Sequence, residues 1–80
     1  MNMKRHVKVM TAHTLLKNDL SDNGVERFIE FISTENLPDC TATKDTMKKC
    51  WELVKEAEYV SEARKAKLWN TMRGRNIYID

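Results

Sequence analysis

Between residues 23 and 36 the apolar positions Val25, Phe28, Ile29 and Ile32 recur at i, i+3, i+4 and i+7. That spacing lines up one face of a 3.6-residue helix. Glu26, Arg27 and Glu30 fall on its polar side. Asn23, with Glu26 three residues on, has the layout of a capping box, with Asn in place of Ser or Thr. Pro38 bounds the far end, because a proline ring pushes the residue before it, Leu37, out of the helical region.

A second stripe, Met47, Cys50, Trp51, Val54 and Ala57, widened by Leu53, predicts a helix from about Lys44 into the fifties. Thr41 and Thr43 are its candidate N-caps, and Asp45 puts negative charge where the helix dipole favours it. Residues 61–73 repeat the pattern, with Ala63, Ala66, Leu68, Trp69 and Met72 apolar and Arg64, Lys65 and Lys67 outward. Ser61 is a candidate cap for a separate helix. Neither glycine nor proline interrupts residues 39–73, so one long bent helix over residues 44–73 competes with two. Gly74, directly after Arg73, fits the left-handed position that ends many helices.

Near the N-terminus Ala12, Leu15, Leu16 and Leu20 have helical spacing, with Thr11 as a cap and Asn18-Asp19 at the exit. Before them His6-Val7-Lys8-Val9 alternates with period two, as does Asn76-Ile77-Tyr78-Ile79, and the two pieces could pair as a short two-stranded ribbon joining the termini. The expected fold is therefore all-α: one domain over residues 1–80, a small bundle of three to four helices, with that ribbon as an optional addition. Its expected core is Leu15, Leu16, Val25, Phe28, Ile29, Ile32, Met47, Trp51, Val54, Leu68 and Trp69.

Length makes such a bundle marginal, since a chain of 80 residues buries only somewhat more than about 60% of the surface it exposes when unfolded. Staples are scarce. Cys40 and Cys50 are the only cysteines. Lys4, Arg5 and Lys8 are not followed by the apolar core of a secretory signal, so a cytoplasmic location with both thiols reduced is expected. Cys50, beside Trp51 in a helix, reads as a small buried hydrophobe. His6 and His13 are the only histidines, and no CxxC, CxxH or HxxxH spacing occurs. No metal and no cofactor are expected.

Catalytic signatures are missing too: the chain has no glycine-rich phosphate loop, no GxSxG and no HExxH. Glu26 and Glu30, like Glu52 and Glu56, lie one turn apart, but on faces expected to be solvated, where paired carboxylates do no acid–base work. His13 near Lys17 has no nucleophile or orienting group to work with. A non-enzyme is expected.

Net charge is only +2, yet it is segregated. Residues 1–18 carry Lys4, Arg5, Lys8 and Lys17 without an acid. Residues 19–39 set six acids, Glu26, Glu30 and Glu35 among them, against Arg27 alone. Residues 40–58 balance, and residues 59–80 are basic again through Arg64, Lys65, Lys67, Arg73 and Arg75. Two functions suit that layout. In the first, the acidic helix steers the domain onto a protein partner or a second copy of itself, with Glu26 and Glu30 orienting the encounter. Phe31, Trp69 and Met72 then supply contact area. In the alternative, Arg64, Lys65, Lys67, Arg73 and Arg75 grip nucleic-acid phosphates, although no reading motif accompanies them. A membrane role is not expected: apolar runs reach only two or three residues, and the segment from Glu62 to Arg75 has a narrow, alanine-rich apolar face. The first expectation is a regulatory protein of inhibitor or adaptor type. Phage and plasmid accessory proteins share this size, an analogy of scale only.

Overall fold

The computed structural model describes residues 3–37 and 40–75, with side chains for residues 7–37 and 40–75. Four helices form: α1 (Met3–Asn18), α2 (Asp22–Thr34), α3 (Thr41–Glu56) and α4 (Glu62–Gly74). No strand occurs among the described residues. The expected N-terminal half of the ribbon, His6–Val9, lies inside α1, so it does not pair as a strand. Its other half, residues 76–79, lies outside the described residues. Alternation over four residues is too short to outweigh a helix whose later turns bury Val9 and Leu16.

Local chemistry sets the helix ends, not always where the sequence suggested. Ser21, not Asn23, caps α2: its hydroxyl accepts from the Gly24 N–H at 3.2 Å and donates to Asp19 Oδ1 at 2.6 Å. The cap therefore sits two residues early, and with Gly24 three residues on it is a single serine cap rather than a capping box, with Asp22 in the first turn beside the positive helix end. Cys40 precedes α3 as its cap residue without a side-chain cap bond. Thr43, a proposed cap, is buried inside the helix with its hydroxyl 3.0 Å from the Cys40 sulfur. Ser61 does cap α4, accepting from the Arg64 N–H at 3.2 Å. Gly74 is the last helical residue and has no positive φ, so it does not serve as a left-handed terminator.

Residues 44–73 therefore form two helices. The break at 57–61 comes from tertiary forces: Ala57 and Val60 turn into the core, and Asp22 Oδ1 accepts the Ser61 N–H at 2.7 Å. The principal packed pairs are α1 with α3 and α2 with α4, while the sequence neighbours α1–α2 and α3–α4 touch less extensively. Contacts fix the directions. Lys8 meets Glu35 and Asp19 meets Arg27, so α1 and α2 are antiparallel. Asp22 meets Ser61, Glu26 meets Lys67, and the Arg75 guanidinium donates to the Glu35 carbonyl, so α2 and α4 run parallel.

One apolar cluster fills the centre. Val9, Leu16, Val25, Phe28, Ile29, Ile32, Met47, Cys50, Val54, Ala57, Val60, Leu68 and Met72 are all buried. Full removal of such side chains from water stabilises by roughly 1.5–3 kcal/mol each. Trp51 and Trp69 pack at its edge, half-buried, with ring centroids 5.1 Å apart and planes tilted by 42°. Two expectations fail here. Leu15, placed in the core, is 64% exposed, because Val9 and Leu16 set the inward phase of α1. Met72, offered as a docking contact, is 0% exposed and belongs to the core, because it follows Leu68 by one turn on the inward face of α4.

Candidate functional site

α1 is apolar on two sides. Val9 and Leu16 face the core, whereas Val7 and Leu15 are 57% and 64% exposed. A helix needs one apolar stripe to pack in a bundle. The second stripe borders a trough between α1 and α2 with a volume of about 550 Å³. Val7, Ala12 and Leu15 form one wall, and Phe28 and Phe31 the other. The volume falls within the range of ligand-binding clefts, roughly 300–1,000 Å³.

The trough has two ends. At one, Gly24 of α2 lies so close to α1's exit that a Cβ there would come within 1.9 Å of the Asp19 carbonyl oxygen. Glycine is required here for close approach rather than for unusual φ. At the other, Phe31 stands beside Phe28 with ring centroids 6.4 Å apart. Charged lining is confined to Lys8, Asp19 and Arg27. Lys8 Nζ lies 3.2 Å from Glu35 Oε1, and Arg27 Nη2 lies 2.5 Å from Asp19 Oδ2. Such a surface can hold apolar matter between two cations.

The chain matches no family model, no curated protein and no solved structure.

The predicted site residues disperse. Phe31 alone of the docking set lines the trough; Glu30 is exposed elsewhere on α2, and Trp69 packs on Trp51 at the α3–α4 seam. Glu26 is half-buried and turned to α4. It accepts from Lys67 Nζ at 2.9 and 3.0 Å, and Arg64 Nε lies 3.3 Å from its Oε1. The hydrogen bond from Lys67, aided by its charge and that of Arg64 against a smaller opposing effect of burial, holds the Glu26 carboxyl below its usual range. Arg64 and Lys67, two of the five expected phosphate contacts, are thus engaged with the acid expected to bind protein. Lys65 lies 3.7 Å from Glu62, and Arg75 reaches the Glu35 carbonyl, while Arg73 is exposed. The segregated charge works within the fold, tying α2 to both basic ends.

Other reactive groups lie away from the trough. Cys50 is buried and its thiol is pushed up to about 12, chiefly by burial, which disfavours the thiolate at neutral pH. His13 is held below its ordinary value by burial first, then by the positive charges of Lys17 and Lys49. No group of three or more metal-ligating side chains occurs among the described residues. No helix among them is long and apolar enough to cross a membrane.

Sequence reasoning missed Val7 and Leu15 as site residues. The signal was present: α1 carries apolar residues around its circumference, and Val7, Thr11 and Leu15 step along one side at i, i+4 and i+8.

Proposed function

We propose that this chain is a non-catalytic docking domain whose α1–α2 trough receives a segment of a protein partner. The carrying observation is the pair Val7 and Leu15, exposed along a trough whose opposite wall is Phe28 and Phe31. Isolated surface hydrophobes are ordinary, but apolar side chains gathered around one concavity mark interaction sites. Aromatic residues set in a partly desolvated pocket are the usual source of binding energy. Regulation by occupancy, as an inhibitor or adaptor, suits a domain with an apolar cleft.

The nucleic-acid alternative has less support. Arg64, Lys65, Lys67 and Arg75 all have intramolecular partners that compete with phosphate. The two readings separate in one experiment. The chain is used to capture partners from extract of its native host, with and without nuclease treatment, beside a Phe31→Ser variant. Docking predicts a discrete protein retained by the parent and lost by the variant. Retention by both, or capture that disappears with nuclease, contradicts it.

A further inference from the structure

We infer that the corner between α3 and α4 is a hinge with two folded settings. One is the closed setting described above. In the other, residues 41–74 form one helix and α4 is exchanged with a second copy of the chain. The sequence permits this extended setting. Ala57, Glu58, Tyr59, Val60 and Ser61 make up the corner, and none carries the helix penalty of glycine or proline. The apolar register also runs straight through it. Buried Cys50 and Leu68 are 18 positions apart, as are buried Val54 and Met72, a spacing of about five helical turns. A continuous helix therefore carries the inward residues of α3 and α4 on one face.

Few contacts close the corner. Ala57 and Val60 are buried, and Asp22 Oδ1 accepts the Ser61 N–H at 2.7 Å. Ser61 Oγ accepts the Arg64 N–H at 3.2 Å as the cap of α4. Straightening gives these up, while the last carbonyls of α3 gain the first N–H groups of α4 as partners. A single copy cannot extend and stay packed. One helix over residues 41–74 is about 51 Å long, beyond the fold's longest dimension of 36 Å. Extension draws Leu68 and Met72 out of the core and Lys67 away from Glu26. An identical α4 restores those contacts, so the vacated place is filled by a second copy that extends its own α4 in return. The two settings then differ chiefly at the corner, because the α4 contacts are remade between chains. The trough has no lining residue from α4, so each half of the dimer keeps it.

The test is sedimentation velocity on the full chain, refolded from urea over a series reaching about 1 mM, beside Asp22→Ala, Glu58→Pro and the double variant. The parent populates a dimer at the top of the series. Asp22→Ala frees two corners per dimer and lowers its dissociation constant about tenfold. Glu58→Pro suits the closed corner, since Ala57 before it has φ −74° and ψ 126°, and it interrupts the extended helix. It folds, as a thermal melt checks, stays monomeric, and returns Asp22→Ala to monomer. Exchange is read by carbodiimide coupling of Glu26 to Lys67 in dimers refolded from mixed isotopically light and heavy chains. Linked peptides that combine both labels are expected. A parent that remains monomeric throughout, a dimer that survives Glu58→Pro, or linked peptides of one label only each overturn the hinge. A dimer dissociated by Leu15→Glu overturns it too, by placing association at the trough. None of these results depends on a foreign partner, so the docking reading stands or falls separately.

Discussion

Glu26 of α2 and Lys67 of α4 stand 41 positions apart in sequence, with the ammonium 2.9 Å from one carboxylate oxygen and 3.0 Å from the other. Arg64 approaches the same carboxylate one turn earlier on α4. Together with Asp22 on the Ser61 N–H, this contact fixes the register of two parallel helices and takes up charge expected to face a ligand.

The pairing predicts a specific acid dependence. A depressed folded-state pKa means the contribution of Glu26 is complete above the unfolded value and is lost as pH falls through the lower folded one. Chemical denaturation of the parent and Glu26→Gln should show a constant stability gap above about pH 5 that closes below about pH 4.3. Added salt should narrow the gap at neutral pH, because the pair is partly exposed. A gap independent of both pH and salt counts against the ion pair.

His13 predicts a second slope at higher pH. Its folded pKa lies below the unfolded one, owing to burial and to Lys17 and Lys49, so the unfolded chain binds its proton more readily. Stability should therefore fall as pH drops below about 6.5. His13→Gln should flatten the slope between about pH 6.5 and 5, and an unchanged slope places the titrating group elsewhere.

At Gly24 the smallest addition should be costly. A methyl group 1.9 Å from the Asp19 carbonyl cannot be accommodated without moving backbone. Gly24→Ala should lose about 2–3 kcal/mol, the upper part of the range for overpacking, despite alanine's better helix propensity. Gly74, with nothing within 4 Å of the corresponding position, should accept alanine without loss. Urea unfolding of the two variants makes the comparison, and equal stabilities refute the close approach.

Met72 separates core from contact. Fully buried, it should cost about 2–5 kcal/mol as Met72→Ala. A small stability change there, measured by thermal or urea unfolding, would place it outside the core.

Much of the fold is written in local pattern. The apolar stripes of α2 and α3 recover Val25, Phe28, Ile29, Ile32, Met47 and Val54 as buried residues, and Ser61 is recognisable as the start of α4. What pattern does not contain is the choice between neighbours. Leu15 and Leu16 are equal in propensity, and only the packing of α1 on α3 decides that Leu16 is buried and Leu15 is not. The break at 57–61 is hidden for the same reason, because the Asp22 carboxylate that accepts the Ser61 N–H comes from 39 positions away. The trough is half visible: Phe31 is expected as a docking contact, but its companions Val7 and Leu15 read as strand and core. Charge pairing is hidden for the same reason: opposite charges far apart in sequence attract, and folding sets Glu26 against Arg64 and Lys67.

The most direct measurement of the docking account is Leu15→Glu examined twice, by thermal melt and by partner capture from the native host. An exposed leucine replaced on a helix surface should change stability by less than about 1 kcal/mol, while the captured protein disappears. A variant that unfolds would make Leu15 part of the core, and a folded variant that captures the same protein undiminished would contradict the trough as the docking site.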